Sequence, residues 1–307
     1  MTRVLVTPRS LTRDGLDAVA ELAPLRERGY ELVSGPPGTA PTPAELPALL
    51  EGCDGWLAGV EQIGAATLEG ASSLRVISRN GTGVDSIDLP AAERLGIAVR
   101  AAHGANAQGV AELALALALA ALRQVPWSAT DLREGRWTRQ PARELAECRV
   151  GVVGLGAIGS RVAGLFTLLG AEVVGHDPVA PVGDVPRVEL AELVATSDVV
   201  TLHAPPVPGA RPLVDAALLA DVHPGAVLVN TARASLVDDD AVLAALELGA
   251  LSAYAVDAFE TEPPELTDLL RHPRTIATPH LGAFTSASVS RATSAAVQNL
   301  LEALDRP

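Results

Sequence analysis

Lysine is absent from all 307 residues, so the 23 basic side chains other than histidine are all arginines. This excludes Schiff-base chemistry, a pyridoxal phosphate anchor, a P-loop and any reductase built on a lysine proton relay, because each needs an ammonium group. Aromatic residues make up only 3% and the formal charge is -14. Few platforms remain for stacking bases and the surface repels polyanions, so neither nucleic acid nor an anionic membrane is an expected partner. The two cysteines, Cys53 and Cys148, stand in separate apolar stretches and read as small core residues rather than a disulfide or a metal pair. No cluster has metal-ligand spacing, so no metal is expected. Long apolar runs are missing as well: "VAELALALALAAL" at 110–122 falls short of the roughly 18 residues of a membrane span, carries Glu112, and reads as a buried helix. The opening "MTRVLVTPRS" reads as a short strand without an apolar leader, and a cytoplasmic location is expected.

What is present is 48% hydrophobic and 20% charged, the balance of soluble domains with ordinary cores. From 149 to 280, the runs "RVGVVGLG", "EVVGHD", "SDVVTLHA", "AVLVNTA", "SAYAVDAF" and "RTIATPH" alternate with Ala/Leu-rich helical stretches, the pattern of a parallel sheet covered by helices. The first hundred residues repeat it with "RVLVTP", "YELVSG", "DGWLAG", "LRVISRNG" and "IAVRAA". The tail "TSASVSRATSAAVQNLLEAL" reads as a capped helix with an apolar face, expected to pack back on the first domain. The predicted fold is α/β: two Rossmann-like or flavodoxin-like domains with parallel sheets and an active-site cleft between them. Residues 1–100 plus 283–307 form a discontinuous substrate-binding domain, and 101–282 a dinucleotide-binding Rossmann domain.

"VVGLGAIG" sets Gly154, Gly156 and Gly159 in the G-x-G-x-x-G spacing between a strand and a helix. Gly154 permits the tight turn, Gly156 lets the backbone approach a pyrophosphate, and Gly159 allows close helix packing with the helix N-terminus toward the anion. The next strand ends at Asp177, whose carboxylate can accept both hydroxyls of an adenosine ribose. An acid there repels a 2′-phosphate and no arginine follows it closely in sequence, so NAD is favoured over NADP.

Three chemically distinct residues follow successive strands of the same sheet: Arg233 in "VNTARASLVD", Glu262 in "DAFETEPP" and His280 in "TPHLG". Ligands of open sheets bind at the carboxyl ends of strands. A hydride moving to or from a carbon bearing oxygen needs a proton moved as well, and histidine suits that task near neutrality. His280 is the proton carrier in this reading, Glu262 orients and charges it, and Arg233 clamps a substrate carboxylate and polarises the carbonyl.

The stretches "RVGVVGLGAIGSRVA", "VNTARASLVDDDAVLAALELG", "YAVDAFETEPP" and "TPHLGAFT" resemble, in order and spacing, the D-isomer-specific 2-hydroxyacid dehydrogenases, and among them the short phosphoglycerate dehydrogenase type without a regulatory domain. The resemblance implies the same roles for Arg233, Glu262 and His280. It extends the cofactor set to Ala157, Ile158, His203, Pro205, Thr231, Ala232, Asp257 and Gly282. "RNGTGVDSIDLPAAERLGIAV" resembles the substrate loop of the family, whose backbone N–H groups grip a carboxylate, at Asn80, Gly81, Thr82 and Gly83. Asn106, Val110 and Glu112 resemble the helix entry whose region contributes to a dimer interface in relatives, so a homodimer is expected. The implied activity is an NAD-dependent interconversion of a small anionic 2-hydroxy and 2-oxo acid.

Some residues depart from that pattern. Phosphoglycerate dehydrogenases usually carry a phosphate-binding arginine after the third strand of the first domain, where "WLAGVEQIG" has Ala58, Gly59 and Glu61. Arg79 and Arg136 remain as other anion contacts. Ala234 and Ser235 replace a glycine pair, and Phe284 a small residue. Two alternatives therefore stand beside the first: a phosphonate- or phosphite-type dehydrogenase of the same family, or a non-catalytic NAD(H)-sensing protein of corepressor type.

Overall fold

The computed structural model describes residues 1–179, 183–207 and 209–305. The chain divides into two compact units, Met1–Asn106 with Ser286–Pro307, and Ala107–Thr285. Arg306 and Pro307, the end of the expected range 283–307, lie outside the described residues.

In the first unit five strands, β1 (Arg3–Val6), β2 (Glu31–Ser34), β3 (Gly55–Ala58), β4 (Val76–Arg79) and β5 (Ala98–Ala101), pair in parallel in the order β2-β1-β3-β4-β5. Each of the five expected apolar runs supplies one strand. Alternation along β1 sends Val4 and Val6 into one core layer and Leu5 into the other. The first layer is closed by Ala296, Val297, Leu300 and Leu304 of the helix Ser286–Leu304, the expected tail helix. Burying a leucine or valine there contributes about 1.5–3 kcal/mol. Gly55 permits the contact: a Cβ on it would stand 3.0 Å from Leu304 Cδ1 and 3.2 Å from Leu300 Cδ2.

In the second unit six strands, β6 (Arg149–Val153), β7 (Glu172–His176), β8 (Val199–Leu202), β9 (Ala226–Asn230), β10 (Leu251–Val256) and β11 (Thr275–Ala277), also pair in parallel, in the order β11-β10-β9-β8-β6-β7. The central strands are continuous apolar runs because helices cover both faces. Ala111, Ala114, Leu117 and Ala118 of the helix Ala107–Leu122 pack with Val162, Ala163 and Phe166 on one side. Leu193 and Val194, with Val242 and Leu246, cover the other. "VAELALALALAAL" is thus part of a core helix, and among the described residues no single helix is long and apolar enough to cross a membrane. Cys53 and Cys148 are buried, free thiols.

The units divide at 106/107 and 285/286, later than the expected 100/101 and 282/283. Hydrogen bonds explain the shift. Ala102 N donates to Gly81 O (2.9 Å), Arg291 Nε to Ala105 O (2.9 Å) and Asn299 Nδ2 to Ala101 O (3.2 Å). These hold 101–105 to the first unit. Leu281 N donates to Asp257 Oδ1 (2.7 Å) and Phe284 N to Leu281 O (2.8 Å), which holds 281–284 to the second.

Candidate active site

Strand order in the second unit reverses at β6, which has β7 on one side and β8 on the other. Such a switch point opens a crevice outside the carboxyl ends of the strands, and the glycine-rich turn lies there. Gly154 has φ +90°, and a Cβ on it would meet Ala204 N at 2.6 Å and His203 C at 2.7 Å. A Cβ on Gly159 would fall 1.8 Å from Gly154 O. Both glycines are required by the protein's own backbone. Gly156 is different, because its Cβ would meet nothing within 4 Å.

That open face is the first of three observations that fit a dinucleotide. Two polar atoms at the ends of neighbouring strands, His203 Nδ1 after β8 and Thr231 Oγ1 after β9, are buried without a hydrogen-bond partner. Third, Ala157 and Ile158 lead into the helix Gly159–Leu168, whose first N–H groups and positive dipole end favour an anion. His203 is held by Thr201 Oγ1 at 2.8 Å, and burial pushes its imidazole pKa down to about 3, so it is a neutral wall of the crevice with exposed Pro205 two residues on. Asp177 already serves the turn: Oδ2 accepts from Leu155 N at 2.7 Å and Oδ1 from Val179 N at 2.9 Å. A carboxylate has about four acceptor sites, so holding the turn is compatible with accepting ribose hydroxyls.

Arg233, Glu262 and His280 are placed by register. Asn230, Val256 and Ala277 form one row across the ends of β9, β10 and β11, and short turns beyond that row carry Arg233, Glu262 and His280. His280 Nδ1 and Glu262 Oε1 are 2.5 Å apart, each side chain about half exposed. A carboxylate can only accept, so Nδ1 carries the proton and Nε2 is left for exchange with a ligand. His280 itself has φ +52°, a left-handed conformation that costs a non-glycine residue about 1–2 kcal/mol.

Buried Asp257 stabilises that conformation. It accepts from Thr278 Oγ1 (2.6 Å), Leu281 N (2.7 Å) and Gly282 N (2.8 Å), bracketing His280 on both sides. Asp257 therefore acts on the protein's own turn, and Gly282 is one of its donors. Asn230, which the sequence reading passed over, does the same for the arginine. Its Oδ1 accepts from Ala232 N (3.0 Å) and its Nδ2 donates to Arg233 O (2.9 Å). The signal was available: a fully buried asparagine ends an otherwise apolar strand. Half-buried Arg233 also donates through Nη1 to Ala232 O at 2.8 Å.

The expected substrate loop belongs to the first unit. Asn80 N donates to Ala58 O (2.9 Å), Gly81 N to Arg79 O (2.9 Å) and Thr82 Oγ1 to Asn106 Oδ1 (3.2 Å). Gly83 follows directly after that bend. Close by, Glu61 is 4% exposed and accepts from Thr7 Oγ1 and from Gly59 N at 2.8 Å, while Trp56 Nε1 donates to Thr7 Oγ1 at 2.9 Å. Where an anion site would need an arginine, the chain has a buried acid. Arg136, the other anion candidate, is paired with Asp131 and Glu134 on the surface. Arg79 Nη1 donates to Asn80 O at 2.8 Å.

A dinucleotide-type crevice at the same sheet end as an acid–imidazole pair fits a nicotinamide-dependent oxidoreductase. Comparison with known proteins narrows that class. The profile described as "D-isomer specific 2-hydroxyacid dehydrogenase, NAD binding domain" matches residues 115–282. The chain is 40% identical over 226 residues to D-3-phosphoglycerate dehydrogenase of Methanocaldococcus jannaschii, covering 71% of this chain and 43% of that protein. The rat enzyme of the same name is 35% identical over 255 residues, covering 80% and 48%. The chain thus spans under half the length of these curated relatives. A solved structure from Thermus thermophilus superposes with a TM-score of 0.89 at 34% identity, covering 99% of this chain and 97% of that one. The chain belongs to the D-isomer-specific 2-hydroxyacid dehydrogenase family, and its cofactor is NAD.

Proposed function

We propose that the protein is an NAD-dependent dehydrogenase interconverting a small 2-hydroxy acid and its 2-oxo acid. The observation that carries this reading is the 2.5 Å contact between His280 Nδ1 and Glu262 Oε1, made just past β10 and β11, next to the strand that carries Arg233 and at the same end of the sheet as the glycine-rich turn. Bound NAD(H) accepts or supplies the hydride. In the reductive direction His280 Nε2 gives a proton to the substrate oxygen, and in the oxidative direction it takes the hydroxyl proton, while Glu262 holds Nδ1–H. Arg233 binds the substrate carboxylate and polarises the carbonyl. In the first unit the N–H groups of Asn80 and Gly81 are taken by Ala58 O and Arg79 O, so the loop's candidates for gripping a carboxylate are those of Thr82 and Gly83.

The curated relatives are named for 3-phosphoglycerate, but buried Glu61 opposes a phosphate at the end of β3. This supports a small acid without that group. The segment from 125 to 137 supports a homodimer. The helix Val125–Arg133 buries no residue, and Val125, Leu132 and Trp137 are 55%, 59% and 80% exposed, an apolar surface of the kind that marks interfaces. The free thiols of Cys53 and Cys148 support a cytoplasmic protein.

The test is NADH consumption with glyoxylate, hydroxypyruvate, pyruvate, longer 2-oxo acids, 3-phosphohydroxypyruvate and phosphonate analogues, and the reverse reaction with the reduced forms. Turnover of a small unphosphorylated acid is expected. Preference for 3-phosphohydroxypyruvate or a phosphonate would overturn the substrate class, and NADH binding without turnover across the panel would overturn the enzyme reading in favour of a sensor.

A further inference from the structure

No arginine follows Asp177 closely in sequence, yet the fold brings one to it. The segment 186–188 runs beside the end of β7: Gly175 N donates to Pro186 O (2.8 Å), Val188 N to Gly175 O (3.0 Å), and Gly175 and Arg187 form a parallel bridge. Bridge partners project to the same face of a sheet. On Gly175 that face is the one toward the glycine-rich turn, since a Cβ there would stand 2.8 Å from Leu155 Cδ1. Arg187 follows it, half-buried, and its Nη1 donates to the main-chain oxygen of Asp177 at 3.0 Å. A guanidinium therefore stands within one residue's dimensions of the carboxylate expected to read the adenosine ribose.

We infer that Arg187 is a specificity-determining residue of the dinucleotide site, offsetting the repulsion of Asp177 for a 2′-phosphate so that the protein binds NADPH as well as NADH. The inference rests on the NAD-binding reading of this crevice and goes beyond it. The physical basis is charge. Asp177 alone makes the ribose end repel a phosphate; a guanidinium is positive at every working pH and matches phosphate geometry. Its bond to the main-chain oxygen of Asp177 fixes that charge beside the ribose end of the crevice.

The test is a fluorescence titration of the full chain with NADH and with NADPH at one ionic strength. Arg187→Gln should raise the Kd for NADPH about ten-fold, the scale of one charge-assisted hydrogen bond, and leave that for NADH within roughly two-fold. Arg187→Lys should retain most of the NADPH affinity. Asp177→Asn keeps an acceptor for Leu155 N but removes the negative charge, and should bring NADPH to parity with NADH or beyond. An unchanged Kd ratio in Arg187→Gln, or equal weakening of both nucleotides, would overturn the proposal, as would Asp177→Asn keeping the wild-type ratio. Failure of the wild type to bind NADH would instead overturn the site itself, a different and separately visible result.

Discussion

Replacing Gly156 by alanine should separate cofactor binding from folding, because the three glycines of the turn face different things. A Cβ on Gly159 would fall 1.8 Å from Gly154 O, and one on Gly154 2.6 Å from Ala204 N at a φ of +90°. Backbone must move in both cases, at a cost at or above the upper end of the ~1–3 kcal/mol typical of overpacking. For a unit of this size that is a Tm lower by roughly 6–12 °C. Gly156 has open space and an ordinary φ. Alanine there restricts only the unfolded chain, which stabilises by about 0.4–1 kcal/mol and raises Tm by roughly 1–4 °C. The added methyl stands where the pyrophosphate must approach, so it should cost about 1–3 kcal/mol of binding, roughly five- to 150-fold in the Kd for NADH. Thermal melts followed by circular dichroism, with NADH fluorescence titrations on the same samples, read both quantities. Wild-type NADH affinity in Gly156→Ala would refute the placement of the cofactor over this turn, even if the fold is right.

The remaining predictions concern charge and protons. His280→Ala should lower kcat by about 10²–10⁴-fold while the Kd for NADH stays near wild type; Arg233→Ala should act mainly on KM for the acid. Unchanged turnover in either would remove the assigned role. Asp257→Ala leaves two backbone N–H groups without their acceptor and Thr278 Oγ1 with only its longer bond to Val256 O, so stability should fall by about 1–3 kcal/mol for each donor left unsatisfied and activity with it; a melt within a degree of wild type would refute its role in the turn. The imidazole of His203 has a pKa pushed down to about 3, so the unfolded chain binds its proton first as pH falls. The stabilisation of the neutral form is present above the ordinary histidine value of about 6.5 and is lost below it, at up to ~1.4 kcal/mol per pH unit. Denaturant melts at pH 7 and pH 5 should therefore differ by up to ~2 kcal/mol, and His203→Gln should flatten that difference; an equally steep dependence in the variant would assign it elsewhere.

The legible parts of the sequence were those where one physical pattern dominates. Strands buried on both faces read as runs dominated by valine, leucine and alanine, so β6, β8, β9 and β10 stood out, and Arg233 and His280 stood out as polar residues just past apolar strands. The glycine spacing was legible because two of its three positions answer to backbone sterics. Features set by tertiary pairing were not legible. Arg187 lies ten residues beyond Asp177 and reaches it only because 186–188 bridges Gly175. The burial of Glu61 is set by Thr7 and Gly59, just past the ends of neighbouring strands, which close on it. The first unit boundary moved because side chains of the last helix, Arg291 and Asn299, hold backbone oxygens of 101–105, and the second because Asp257 and Leu281 hold the backbone of 281–284.

The placement of Arg233, Glu262 and His280 has a simple geometric origin with an energetic condition attached. Parallel register puts Asn230, Val256 and Ala277 in one row, so any residue a few positions past that row emerges at the same sheet end, whatever its separation in sequence. Emergence alone would leave flexible loops. The row is converted into fixed geometry by the buried polar residues at the strand ends. Asn230 ties the turn of Arg233, and Asp257 N donates to Asn230 O at 3.0 Å while its carboxylate ties the turn of His280. The two anchors are thus bonded to each other as well as to the turns they hold. Unsatisfied, each would cost about 1–3 kcal/mol; satisfied, they hold His280 in a left-handed conformation it would otherwise leave. His280 is positioned by the sheet rather than by its own loop, and its exposed partner Glu262 needs only to reach one nitrogen.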